Sequence, residues 1–395
     1  MVFDADNLDF LADPYPVFAV LRERGPVHWH QGMGLAVAVS HAACSDLLRS
    51  RAAGRIWQDK TPVSSFPAFN LLHRNSLLET EPPRHTRLRR LISTAFARGH
   101  TERLRPWVRA VAGRLVDGLA GAIASDGSAD LLEHLAAPLP VEVIAELLGV
   151  PEPDRHRLQP WSNAIVKMYE YGLPADKAAA AEQAAAEFVD YLRELAASRA
   201  RTPGEDLISD LVSVRDGSDR LSDDELVGTA VLLLMAGHEA TVNVIGNGTL
   251  ALLRHRDQWD RLVASPELLP TAVEELIRFD SPLQLFERTA TEATSVAGYE
   301  LAPGDRIAAL LGAAARDPAV FDDPDALDVG RSPNPHLGFG GGIHYCVGAP
   351  LARVEIAAAF EALTTRLPGL RPADDPPRRR REFVIRGLRT LPVTA

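Results

Sequence analysis

The sequence predicts a mainly α domain with small peripheral β-sheets, and three observations carry that prediction. Long Ala/Leu/Arg/Glu segments with helical spacing dominate, as in "RHTRLRRLISTAFA", "AAAAEQAAAEFVDYLRELAASRA" and "APLARVEIAAAFEALTTRL". Strand-like segments are short and sit in two places, one near the N-terminus and one late in the chain. No repeat of fixed period and no flexible linker divides the chain, so residues 1–395 read as one domain.

Composition narrows the function classes. A chain of 395 residues buries a large core without disulfides or metal staples. Its two cysteines, Cys44 and Cys346, form no disulfide framework and suit a reducing compartment. With 42 Lys+Arg against 53 Asp+Glu the formal net charge is -11, which argues against a nucleic-acid binder. The opening "MVFDADNLDFLADPYP" has acids where a signal peptide needs cations. The longest apolar run, "LVGTAVLLLMAG", is shorter than the ~20 residues that span a bilayer. The expectation is a cytoplasmic protein with no membrane segment.

Along the chain, "PVHWH" and "LAVAVS" read as the first strands. Residues 54–78 read as a loop between helices, carrying Trp57, Phe66 and Phe69. Residues 161–174 read as a second loop with Trp161, Met168, Tyr169 and Tyr171. Aromatic residues on loops either line a ligand pocket or pin the loop to the core. As a pocket, these loops would supply Trp57, Phe66, Phe69 and Met168, joined by Leu233 and Leu285. "SDDELVGTAVLLLMAGHEATVNVIGNGTLALLR" reads as one long helix. Ser222 is its N-cap, with Glu225 three residues on as a capping box, and it runs to about Arg254 over roughly 48 Å. Midway the apolar run breaks at Gly237, His238 and Glu239. A buried carboxylate there needs a partner or a function. Ala236, Gly237, Ala240 and Val244 share one face, and the first three are small enough to make a shallow floor. Late strands follow in "ATSVAGYELAPGDRIAALL" and "RREFVIRGLRTLPV", and "DDPPRRRRE" reads as a charged turn.

The stretch "GFGGGIHYCVGAP" (338–350) crowds five glycines around Cys346, and a helix opens just after it with Pro350 in its first turn. A cysteine at a helix N-terminus has its thiolate stabilised by the dipole and the free N–H groups. Glycines would let the backbone lie against a planar ligand. A zinc site would want about four ligands, and no C-x-x-C or second nearby cysteine is present. A single thiolate suits haem iron better. An inert buried cysteine is the remaining alternative and leaves the glycines unexplained.

These residues resemble the haem-binding loop of the cytochrome P-450 family, F-G-x-G-x-H-x-C-x-G. Phe339, Gly340, Gly342, His344, Cys346 and Gly348 all match. The resemblance covers nearly the whole chain. "EELIR" is similar to the family's E-x-x-R helix at Glu275 and Arg278, and Arg331 to the arginine that completes a buried triad with them. "HTRLR" resembles the H-x-x-x-R pair that binds a haem propionate, here His85 and Arg89. Arg288 in "FERTA" and His344 resemble further propionate ligands. "AGHEAT", with Ala236, Gly237, His238, Glu239, Ala240 and Thr241, resembles the oxygen-binding part of the central helix.

The resemblance implies a haem-thiolate monooxygenase with haem b held between the long central helix and the cysteine loop, Cys346 ligating the iron and O2 as co-substrate. It implies oxidation of a small organic molecule, such as hydroxylation, epoxidation or oxidative coupling, in tailoring a secondary metabolite. It also implies a monomer. Since the haem fold uses the whole chain, electrons come from a separate ferredoxin and ferredoxin reductase. Arginines between Arg84 and Arg109 and at Arg353 offer a basic docking face. One position departs from the pattern: the family's threonine after the acid is Ala240 here, and Thr241 lies 100° further round the helix. A haem-thiolate ligand-binding or sensing protein is the second reading, and a zinc or thiol protein without haem the third.

Overall fold

The computed structural model describes residues 2–96, 99–170, 172–215 and 217–395. They group into two compact units, with helices the main regular structure of each.

The first unit comprises Met1–Gly54, Val108–Leu139 and Ala240–Ala395. Its five-stranded sheet has the order Val27–His30, Leu35–Ala38, Arg306–Leu310, Leu285–Ala290, Ala53–Gly54. Only the pairing of Leu35–Ala38 with Arg306–Leu310 is parallel, with Ala36 opposite Ile307. Successive side chains point to opposite faces, and both faces are covered. Leu35 and Val37 join Phe3, Phe10, Phe18, Leu285 and Leu310 on one side. Ala36 and Ala38 join Cys44, Leu47, Ile307 and Ala309 on the other. That is why "LAVA" is apolar throughout rather than alternating. The predicted late strands form at Thr294–Val296, Tyr299–Leu301, Arg306–Leu310, Leu388–Thr390 and Pro392–Thr394. The charged turn differs from its expectation, because Arg378–Arg379 pairs with Leu388–Thr390 as a short ribbon.

A buried charge cluster ties the ends of the chain together in this unit. Asp280 accepts from Tyr15 Oη at 2.7 Å, from Arg386 Nε at 2.6 Å and from Arg379 Nη2 at 3.0 Å. Arg386 also donates to the carbonyls of Leu11 and Ala12. Burial raises the Asp280 carboxyl, but Arg386 and Arg379 outweigh it and hold the group far below the usual carboxylate range.

The second unit comprises Arg55–Trp107 and Pro140–Glu239. Both segments predicted as loops are largely helical there. Pro67–Arg74 is a helix with Pro67 in its first turn, and Glu182 caps it by accepting from the N–H groups of Ala68 and Phe69. Trp161 lies in the helix Leu158–Val166, and Met168 and Tyr169 in the single turn Lys167–Tyr169. Tyr171 lies outside the described residues. The predicted helices appear at Arg84–Phe96 and Ala175–Arg201; Ala97, the last residue of the former prediction, is also outside the described set.

The central helix spans Asp223–Arg254, 32 residues, as the capping box predicts. Ser222 N–H donates to Glu225 Oε2 at 3.0 Å, and Glu225 N–H to Ser222 Oγ at 3.2 Å. Among the described residues it is the one helix long and apolar enough to cross a membrane by length and composition, a point the shorter apolar run in the sequence does not convey. Its most apolar window is 78% buried inside the protein, as befits a core helix. Ser222→Ala should cost about 1 kcal/mol of stability, read as a lower urea midpoint at unchanged slope.

Candidate active site

Cys346 sits two residues before the N-cap Gly348 of the helix Ala349–Arg366, which carries Pro350 in its first turn. Its N–H donates to the carbonyl of Phe339 at 3.0 Å, closing the glycine-rich stretch into a tight loop. Most of the glycines answer to protein neighbours, which corrects the expectation that they clear space for a planar ligand. A Cβ at Gly338 would lie 2.5 Å from Ile277 Cγ2, and one at Gly341 3.3 Å from Leu48 Cβ. Gly342 has φ +65, and a Cβ there would lie 2.5 Å from the Leu48 carbonyl oxygen, at the end of the helix His41–Arg49. Gly340 is needed for its backbone, at φ +72. Only at Gly348 would a Cβ approach the Cys346 sulfur, at 3.9 Å.

Upstream of the loop, the structure brings together Glu275, Arg278 and Arg331, the three residues that the resemblance groups as a triad. Arg278 grips Glu275 bidentately, Nε to Oε2 at 2.7 Å and Nη2 to Oε1 at 2.8 Å, and both side chains are fully buried. Its remaining donors go to the carbonyls of Ala315, Pro324 and Ala326. Arg331 Nε reaches both Glu275 oxygens, at 3.2 and 3.1 Å. Asp328 N–H and Asn334 Nδ2 complete the shell at 2.9 and 3.1 Å.

The other predicted residues fall as follows. In the first unit, Arg288 is 2% exposed on the strand Leu285–Ala290; its Nη1 donates to the Glu287 carbonyl, and its guanidinium lies 4.6 Å above the Phe286 ring. His344 closes the short turn Gly342–His344. In the second unit, His85 and Arg89 stand one turn apart on the helix Arg84–Phe96, with His85 2% exposed. On the central helix, Ala236 and Ala240 are exposed, Gly237 is half-buried and Val244 is buried, so the open face is narrower than predicted. Gly237 answers to Ile144, whose Cδ1 would lie 3.1 Å from an added Cβ. Glu239 and His238 are both buried, with Oε1 3.6 Å from Nε2. His238 Nδ1 lies 3.2 Å from the Leu234 carbonyl, and Thr241 is buried.

Of the predicted pocket residues, Trp57 and Phe69 come together around His73, which the sequence reading missed. Its ring stacks at 4.6 Å on Trp57 and 4.0 Å on Phe69. His73 Nε2 meets Tyr169 Oη at 2.8 Å, and burial pushes its pKa down to about 4. Lys60 Nζ donates to the Met168 carbonyl at 3.0 Å, while Phe66 and Leu233 also belong to this second unit. Leu285 instead packs inside the sheet of the first unit with Val37 and Leu310. Cys44 is the small core residue expected: it is fully buried, Sγ donates to the Ala38 carbonyl at 3.2 Å, and burial pushes its thiol far up.

Sequence reasoning also missed Glu274. Its Oε1 accepts from Arg353 Nε at 2.6 Å, and its Oε2 from Arg353 Nη2 at 2.9 Å and His336 Nε2 at 3.0 Å. The only signal is that it precedes Glu275. The arginines read as a basic face carry acidic partners: Arg84 and Arg87 meet Glu225, Arg105 meets Glu102, Arg109 meets Glu361 and Arg353 meets Glu274.

Two outcomes follow from these charges. Glu275→Ala strands the buried Arg278 guanidinium, which should cost about 3–5 kcal/mol and sharply lower the yield of folded protein. For Glu274, burial raises the carboxyl, but the Arg353 and His336 hydrogen bonds win and hold it at about 2. A depressed carboxyl contributes stability that is whole above its unfolded value and lost as pH falls toward the folded one. Between about pH 5 and pH 2 the unmodified protein should therefore lose more stability than Glu274→Gln, as compared by urea midpoints.

Comparison with known proteins gives the family. The family model described as Cytochrome P450 matches residues 50–384. Cytochrome P450 monooxygenase PikC of Streptomyces venezuelae is 42% identical over 397 residues, covering 98% of this chain and 92% of the relative. Mycinamicin IV hydroxylase/epoxidase of Micromonospora griseorubida is 44% identical over 301 residues, 75% of this chain and 74% of the relative. Among solved structures, P450BioI in complex with hexadec-9Z-enoic acid ligated acyl carrier protein superposes with a TM-score of 0.92 at 34% identity, covering 99% of this chain and 100% of that one. The chain belongs to the cytochrome P450 family, haem-thiolate monooxygenases that take O2 as co-substrate.

Proposed function

We propose that this chain oxidises a small organic molecule in the tailoring of a secondary metabolite, with Cys346 as the haem ligand and a separate ferredoxin and ferredoxin reductase as electron donors. The observation that carries the ligand assignment is the loop itself: a thiol at the mouth of the helix Ala349–Arg366, its N–H tied to Phe339. The donor set fits haem. Among the described residues no group of three or more His, Cys, Asp or Glu side chains could hold a bare metal ion, whereas one thiolate suffices for an iron whose other ligands a porphyrin supplies. Buried Arg288 and His85, with Arg89 and His344, suit the propionates by their charge and hydrogen-bonding capacity. The relatives' names support the metabolic setting, since one is a mycinamicin IV hydroxylase/epoxidase and another a polyketide biosynthesis cytochrome P450, PksS of Bacillus subtilis. We read residues 1–395 as one catalytic domain, because the family match over 50–384 draws on both compact units.

Bound haem supplies oxygen activation, and the protein supplies placement and protons. His238 and Glu239 are the candidates for the proton. His238 Nδ1 lies 3.2 Å from the Leu234 carbonyl, and its Nε2 lies 3.6 Å from Glu239 Oε1, close enough for a water to link the two side chains. Ala240 offers only a methyl group on the exposed face, and the Thr241 hydroxyl is buried elsewhere on the helix. The substrate then supplies the polar group that orders the last water. The absent hydroxyl also favours a second reading, a ligand-binding or sensing protein with little oxygenase activity. Product formation with ferredoxin and reductase separates the two.

Reduced protein under carbon monoxide should show the red-shifted Soret band of thiolate haem; Cys346→Ala should lose it and Cys44→Ala keep it. A normal carbonyl spectrum in Cys346→Ala would falsify the ligand assignment. For the substrate, the measure is product formed per NAD(P)H consumed. A deoxygenated analogue should couple poorly in the unmodified enzyme and better in Ala240→Thr, while the native substrate couples worse in that variant through crowding. Equal coupling of analogue and native substrate in the unmodified enzyme sinks substrate assistance.

A further inference from the structure

Glu274 and Glu275 are consecutive on the helix Leu269–Phe279, yet they serve different ends. Glu275 takes partners upstream of the cysteine loop, at Asp328, Arg331 and Asn334. Glu274 takes His336 and Arg353, which stand on either side of Cys346. One carboxylate thus closes the base of the whole loop.

Each bond leads inward. His336 Nδ1 accepts the Gly338 N–H at 3.1 Å, so its ring proton is on Nε2 and is donated to Glu274. The Arg353 guanidinium lies 4.4 Å above the Phe339 ring, and the Phe339 carbonyl accepts the Cys346 N–H at 3.0 Å. The Glu274 and Arg353 side chains are 26% and 37% exposed, so solvent screens this pair more than the buried one beside it. Its effect is local: a fixed cation over Phe339, balanced by a fixed anion.

We propose that Glu274 is a positioning residue for the Cys346 thiolate. It holds the Phe339–Cys346 hydrogen bond in register through His336 and Arg353, and its charge offsets Arg353 so that the sulfur keeps its electron-donating strength. This rests on the reading of Cys346 as the haem ligand.

The test uses the haem-loaded protein. Glu274→Gln keeps the shape and removes one negative charge, leaving Arg353 unbalanced. The more positive surroundings favour the reduced state, so the ferric-to-ferrous ratio at a fixed poise should fall on the order of fivefold. Hydrogen exchange in residues 336–353 should quicken while the strand Arg306–Leu310 stays protected. Arg353→Met should move the ratio the opposite way, which also serves if Glu274→Gln fails to load haem. The double variant restores the local charge balance and should return the ratio toward that of the unmodified protein, which a merely structural pair would not do. Glu361→Gln, on the same helix as Arg353, controls for net charge and should leave the ratio unchanged. An unmoved ratio in both single variants, or a double variant further displaced than either, overturns the proposal. Absence of the red-shifted carbonyl Soret band in the unmodified protein overturns the ligand reading, and this inference with it.

Discussion

The buried Glu275 carboxylate is the constraint on which the rest of the first unit depends. Two arginines, a backbone N–H and an amide converge on it, and every donor of Arg278 is used. A charge pair so deep carries a large desolvation cost and persists only when each lone pair and proton is satisfied. Satisfying them draws in carbonyls from Ala315, Pro324 and Ala326, which belong to no regular element. A segment with few ladder hydrogen bonds of its own is thereby given one conformation. Asp328, Arg331 and Asn334, which also bond Glu275, carry the ordered segment to within four residues of the glycine-rich stretch.

What was legible in the sequence was local or ordered along the chain. The capping box at Ser222 and Glu225 could be read because three residues separate its members. Pro350 marked its helix for the same reason. Glu-x-x-Arg alone says little; its place ahead of Arg331 and the Cys346 loop gave it meaning. What escaped was tertiary. The helix Pro67–Arg74 hides in a proline-rich stretch because its N-terminal cap is Glu182, on another helix. Glu274, His336 and Arg353 share no short motif, so nothing in the string links them. Glycines 341 and 342 looked like clearance for a ligand, yet the group that forbids a side chain there is the end of the helix His41–Arg49, far off in sequence.

The central helix shows how composition and exposure answer different questions. By composition it qualifies for a bilayer, yet most of its apolar window is buried by protein. The two alanines left open, Ala236 and Ala240, lie one turn apart on a helix otherwise enclosed along this stretch. Small side chains there keep the surface shallow, and a hydroxyl is missing at the one place where the family pattern would put it.

The tie between Arg386 and Leu11 sets a condition on how the protein is made. The partners are 375 residues apart. A ribosome adding about 5–20 residues per second needs roughly 20–75 s to travel between them. For about the first three quarters of that interval Phe10 and Phe18, which end in the sheet core, lack the strands Leu285–Ala290 and Arg306–Leu310 that cover them. The nascent chain thus carries an uncovered apolar N-terminal segment until those strands are made, and the Arg386 tie to Leu11 and Ala12 closes later still.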